Sequence, residues 1–262
     1  VANTVNYGYY VDKFWGIGND SPDITQPNFT LKQWKVNFEV HFPPLQEFIG
    51  NHKGGIVYDF LRVASLDLSQ NPLFQENLYS GHTGGTSSGL GVGWIWDSRD
   101  HIFFPNHGVY SRVRTIFYDN KLGSDYAFQR FEIDIRNYAA VREDHVFAVQ
   151  IYSQWMSGNP PFYQLADIGG QQVMRGYYKG RFRDMAALTA QIEYRQYFWR
   201  RFGFVVFAGV GHVAERVGKF SLRKFYLSKG AGLRFKFNKA EKVNLRADIG
   251  FGQNSTGIYF GL

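Results

Sequence analysis

Across residues 31–42 the side chains alternate without a break. Trp34, Val36, Phe38, Val40 and Phe42 interleave with Gln33, Lys35, Asn37, Glu39 and His41. A period of two is the signature of a β-strand, whose successive side chains point to opposite faces. The pattern returns at residues 130–136, where Phe131, Ile133 and Ile135 oppose Arg130, Glu132, Asp134 and Arg136. It returns again at residues 243–251, where Val243, Leu245, Ala247, Ile249 and Phe251 oppose Asn244, Arg246, Asp248 and Gly250. Charges that recur on one face of several strands, opposite an apolar face, are what lipid outside and water inside select.

A soluble β-sandwich gives the same alternation with its apolar face turned inward. Three features favour a membrane barrel instead. The predicted strands are long, near or beyond the ~9–11 residues that cross a tilted bilayer. Aromatic residues crowd the strand ends (Trp15, Trp94, Trp96, Tyr152, Trp155, Tyr197, Phe198, Trp199), as interfacial girdles do. The apolar faces are also too apolar for a sheet exposed to water. A mean hydropathy of −0.31 is compatible with this reading, because a membrane barrel needs apolar residues on one face only.

The pattern predicts twelve strands, near residues 3–14, 28–42, 53–66, 87–98, 108–119, 125–138, 144–154, 186–198, 202–214, 225–237, 241–252 and 255–262. An even number closes an antiparallel barrel with both termini on one side. The links Asn238-Lys239-Ala240 and Gln253-Asn254 read as periplasmic turns. The links at 16–26, 66–85, 154–184 and 214–224 read as extracellular loops. No linker or repeat divides the chain, so residues 1–262 read as one transmembrane domain without a periplasmic repeat domain.

Several function classes recede. The longest uncharged apolar run, 202–211, falls far short of the ~18 residues of a spanning helix. No signal peptide is visible at Val1, so the chain reads as mature, trimmed or not exported. The absence of cysteine fits an envelope protein, though only weakly. The net charge of +7 is scattered over strands and loops rather than clustered, which argues against nucleic acid and for lipid headgroups or a polar lumen. The seven histidines lack metal-ligand spacing, and Ser87-Ser88 sits in no strand-turn-helix elbow. No cofactor and no bond-making chemistry is expected.

The longest non-periodic segment carries Gly169-Gly170 and then Met174-Arg175-Gly176-Tyr177. Upstream stand Gly89-Leu90-Gly91 and Asp97-Ser98-Arg99-Asp100, followed by Pro105 and Gly108. Asp97, Arg99 and Asp100 in a tight link read first as backbone-satisfying turn residues. Downstream come Ile192-Glu193-Tyr194-Arg195, then Phe207 and Gly211, then Gly232-Leu233-Arg234 and Val243-Asn244-Leu245-Arg246. In this order the motifs resemble the outer-membrane assembly and translocation barrels, the bacterial surface antigen family. That family includes the central barrel-assembly subunit, two-partner secretion transporters and the chloroplast import channel. The resemblance covers residues 87–262 and, more loosely, Trp15-Gly16-Ile17-Gly18-Asn19-Asp20.

The resemblance implies a loop folded into the lumen, with Arg175 meeting acidic residues on the two following strands. Glu193 shares a face with Thr189, Gln191 and Arg195 and is the first partner expected for Arg175. The family's next strand carries an aspartate where this chain has Gly209. Either another lumenal carboxylate (Glu132, Asp134 or Asp248) completes the lock, or the loop is held less firmly. Family barrels usually have sixteen strands, so the twelve are the final twelve of such a barrel or a smaller barrel. The short last strand, with Gly257, Tyr259 and Gly261 against Ile258, Phe260 and Leu262, suggests a weak seam with the first. Two functions stay open. One is insertion of outer-membrane proteins or translocation of polypeptide, with client barrels or secreted chains as substrates and periplasmic or lipoprotein partners. The other is a structural or passive-transport barrel, in which Arg175 only anchors a plug.

Overall fold

The computed structural model describes residues 2–42, 51–76, 79–142, 144–199, 201–221, 224–238 and 243–261. Twelve strands form one antiparallel sheet: β1 (Ala2–Lys13), β2 (Asn28–Phe42), β3 (His52–Asp67), β4 (Gly85–Asp97), β5 (Gly108–Tyr118), β6 (Phe128–Arg142) and β7 (His145–Gly158) come first. An excursion then holds two short strands, β8 (Ala166–Ile168) and β9 (Phe182–Asp184), which pair only with each other. The sheet resumes with β10 (Ala186–Trp199), β11 (Phe202–Ala214), β12 (Tyr226–Asn238), β13 (Val243–Gly252) and β14 (Ser255–Gly261). The long loop begins at residue 159 rather than 154, because Trp155 and Met156 stay in the β6–β7 ladder opposite Phe131 and Arg130.

In such a meander successive connections fall at opposite ends of the sheet. The long links at 14–27, 68–84, 119–127, 159–185 and 215–225 share one end, and the link at 98–107 lies at the other. Gln253-Asn254 therefore sits at the loop end, not beside the turn after β12 as its shortness suggested. The Gln253 backbone N–H donates to the Tyr177 hydroxyl at 2.7 Å. Of the turn expected at Asn238-Lys239-Ala240, Lys239 and Ala240 lie outside the described residues.

Closure is the second difference. Among the described residues no ladder joins β1 to β14, so the sheet keeps two free edges. β14 has seven residues against twelve in β1, too few to cover that edge. The inserted loop reaches both edge strands instead: Arg183 Nη2 meets Asp12 Oδ2 of β1 at 2.9 Å, and Gly176 N–H donates to the Tyr259 hydroxyl of β14 at 2.9 Å.

The two faces sort by chemistry. Outward lie Val5, Tyr7, Trp34, Phe38, Leu233, Leu245, Phe251 and Phe260, all exposed. Inward lie Glu39, Asp59, Glu132, Asp134, Glu193, Arg234 and Asp248, all buried. An apolar face this bare is the kind that lipid covers. The expected girdle divides. Trp94, Trp96, Phe198 and Trp199 face out, and Trp155 stacks on Phe131 at 4.0 Å between ring centres. Trp15, Tyr152 and Tyr197 are not girdle residues. Trp15 is buried beside Tyr178 of the loop and under the Arg181 guanidinium, because it belongs to a link rather than a strand. The Tyr152 and Tyr197 hydroxyls find polar partners inside, on Gln154 and Asn244, as buried phenols require.

The loop packs on two apolar clusters that it shares with the strands around it. Phe14, Phe29, Leu31, Leu61 and Phe162 pack together at its first half, and Ile168, Met174, Tyr177, Phe182 and Val213 at its second. Each such side chain contributes roughly 1.5–3 kcal/mol when fully buried, so the loop sits in the lumen as a packed element.

Candidate functional site

The loop tip is shaped by glycine. Gly170 has φ +81° and Gly176 φ +106°, both in the left-handed region that side chains avoid. A single helical turn at Gly170–Val173 is closed by the Met174 N–H donating to the Gly170 carbonyl at 3.3 Å, and the Gly170 N–H donates across the tip to the Tyr177 carbonyl at 2.9 Å. The ring of backbone so formed presents Arg175. It lies directly on β13: a methyl group on Gly250 would stand 2.8 Å from Gly176 N, and one on Gly252 would stand 2.4 Å from the Tyr177 ring. Only backbone without side chains allows that approach.

Arg175 Nη2 donates to Glu193 Oε2 of β10 at 2.5 Å, and Nη1 to Asp248 Oδ2 of β13 at 2.9 Å. Its guanidinium lies 3.6 Å from the centre of the Phe207 ring of β11. Glu193 Oε1 accepts from Arg195 Nε at 2.5 Å, and Asp248 accepts from both Nη atoms of Arg234. The chain of charges runs Arg195, Glu193, Arg175, Asp248, Arg234. Each carboxylate is shared by two guanidiniums, and charge-assisted bonds of this kind, bidentate between Arg234 and Asp248, offset the cost of burial.

Of the carboxylates left open by the sequence, Asp248 joins Glu193 at Arg175. Glu132 is taken by Arg112 and Arg114, and Asp134 by Arg136 and Gln150. Position 209 is tight for the aspartate the resemblance expects: a Cβ there would lie 3.0 Å from Gln191 Cγ and Ser228 Oγ, and both side chains would have to give way. Gly232, by contrast, makes the space that the Asp248 carboxylate fills.

Tyr177 and Met174 anchor the tip. The Tyr177 hydroxyl donates to the Leu227 carbonyl at 2.8 Å, and Met174 fills the space above Gly211. Gly169, with φ +116°, brings the loop's entry against the Tyr178 carbonyl. Tyr259, Gly232, Gly250, Gly252 and Phe207 are site residues that the sequence reading missed as such. The signal available was glycine at alternate positions on successive strands, 209 and 211, 230 and 232, 250 and 252.

The second motif stands apart from Arg175, at the opposite end of the sheet. Arg99 binds Asp97 through two bonds, Nε–Oδ1 2.8 Å and Nη2–Oδ2 2.7 Å, and stacks on Tyr110. Asp100 Oδ1 accepts from the Asn106 and His107 N–H groups. Pro105 is buried, and Gly108, at φ +104°, packs against the Ser98 carbonyl. This link folds inward: Phe104 packs edge-on to Tyr197 at 5.5 Å and lies under Arg195. Among the described residues no group of three or more His, Asp or Glu side chains is placed to hold a metal.

Comparison with known proteins adds the family. The model of the Omp85 superfamily domain matches residues 20–262. No curated protein matches. Among solved structures, BamA from Haemophilus ducreyi lacking POTRA domains 1–3 is similar with a TM-score of 0.64 at 14% identity, over 98% of this chain and 60% of that one. The likeness at that identity is one of fold, and this chain spans well under two thirds of the BamA chain. With its strand meander, its inserted arginine loop and a family match over residues 20–262, the chain belongs to the Omp85 superfamily.

Proposed function

We propose that residues 1–262 form a single outer-membrane barrel unit that assists insertion of β-barrel proteins or passes polypeptide across the membrane, with no cofactor and no bond chemistry. The observation that carries this reading is the coupling of the loop to a free sheet edge. Arg175 is gripped from β10 and β13, and the next residue, Gly176, is bonded to Tyr259 on β14. An exposed strand edge presents unpaired N–H and C=O groups to which an incoming strand can add. A loop that touches this edge can sense or hold its position. The substrates are then client barrels or secreted chains, the surrounding solvent is outer-membrane lipid, and recruitment belongs to periplasmic or lipoprotein partners.

Gly209, in place of the aspartate that the family resemblance expects, favours a second reading, a structural or passive-transport barrel. The carboxylate that Asp248 supplies weakens it. Reconstitution of the full chain in liposomes separates the two. Faster folding of a denatured client barrel, lost in Arg175→Ala, supports assembly. Ion conductance without any effect on client folding supports passive transport.

A further inference from the structure

Between the loop tip and the inward-folded link at 98–107 lies a chamber of about 520 Å³. Phe103 and Phe104 line it from the link, and Gln171, Gln172 and Arg175 from the loop. Its wall carries Arg136, Arg195, Arg234 and Arg246, and among the described residues Glu193 is the only carboxylate in the lining. Two more carboxylates, Asp134 and Asp248, pair with these arginines from behind. Among the described residues five guanidiniums therefore meet three carboxylates, leaving a positive excess in a half-open space.

Arg246 has no carboxylate partner among the described residues, and its guanidinium meets only the Gln171 amide, turned so that its oxygen accepts. Guanidinium forks recognise the planar oxygen pairs of phosphate and carboxylate, and a chamber of this size is in the range of small-molecule sites.

We propose that this chamber is a binding site for a small phosphate-bearing anion, held by Arg246, Arg234 and Arg195. The anion neutralises the excess charge. The site depends on the lumen's charge alone and stands whether or not the barrel assembles clients.

The test uses the full chain refolded in detergent, titrated calorimetrically with pyrophosphate, inorganic phosphate and glycerol phosphate at fixed ionic strength. Saturable pyrophosphate binding at one site per chain is expected, weakened tenfold or more in Arg246→Gln. Arg246→Lys, which keeps the charge and loses the fork, should fall between. Arg216→Gln, on the exposed link after β11, should bind like the parent. Among the described residues Arg246 lacks an acidic partner, so its removal strands no buried carboxylate there, and retained heat-modifiable migration on gels verifies folding. Tighter binding of glycerol phosphate than of inorganic phosphate would identify a lipid headgroup as the source, and the reverse a free ion. Binding no stronger than that of chloride, or unchanged in folded Arg246→Gln, would overturn the proposal.

Discussion

A methyl group placed on Gly232 would lie 1.8 Å from Oδ1 of Asp248, its partner across the β12–β13 ladder. The carboxylate that holds both Arg175 and Arg234 therefore occupies the space that a side chain at position 232 would take. The lock depends on a residue that contributes no polar atom from its side chain.

Gly232→Ala should consequently behave like loss of the carboxylate itself. Displacing Asp248 leaves Arg175 and Arg234 short of a partner, and breaking a buried pair costs roughly 3–5 kcal/mol, less where water enters. The expected outcome is a barrel that still folds, with a lowered melting temperature and a loop cleaved faster near residues 170–177 in limited proteolysis. Asp248→Asn should match it. A Gly232→Ala protein with parental protease resistance would show that the carboxylate has another resting place.

Arg175 and Glu193 form a pair that a double-mutant cycle can resolve. Arg175→Ala and Glu193→Gln should each loosen the loop, and the double variant should lose less than the sum of the two, because both remove the contact they share. Strictly additive losses in melting temperature would show that the 2.5 Å contact contributes nothing.

Tyr259→Phe removes a single hydroxyl and keeps the ring. It deletes the acceptor for Gly176 N–H, a bond worth on the order of 0.5–1.5 kcal/mol. The barrel should keep its melting temperature to within a few degrees. Amide exchange in β14 should accelerate, while β10 and β11 remain as protected as before. Uniform acceleration along all the strands would mean that β14 is not held through the loop.

Single cysteines should report the two faces. Substitutions at Lys35, Arg136, Arg195 and Arg246 should react with water-soluble thiol reagents in liposomes, and those at Trp34, Phe38, Leu245 and Phe251 should not. Because the side-chain period is two, a one-residue slip in register reverses the whole set. Equal labelling of both sets would exclude lipid from the outer face.

The strands were legible because alternation is a local property: Trp34 and Lys35 declare their faces without reference to any other strand. The loop tip was legible for a similar reason, since Gly176 beside Arg175 signals a turn with a cationic apex. What stayed hidden depended on pairing. Asp248 becomes the second acceptor only because it stands opposite Gly232 and two strands beyond the position where the aspartate was expected. Tyr259 matters because the last strand ends up beneath the loop. Trp15 read as a girdle residue because its distance from a strand end was visible and its burial under Arg181 was not. The end at which Gln253-Asn254 lies follows from counting connections, not from their length.

Every ladder in the main sheet joins strands adjacent in the chain or flanking the one inserted loop, so the sheet can grow hairpin by hairpin from its first strand. The loop tip cannot finish so early. Its acceptor Asp248 lies 73 residues downstream of Arg175, and Tyr259 lies 83 downstream of Gly176. Until the final hairpin arrives, Arg175 has at most half of its grip. The lock therefore acts as a completion signal, set only when the whole polypeptide is in place. A chain truncated before β13 would carry its arginine held by Glu193 alone among its carboxylates, inside a sheet that otherwise looks formed.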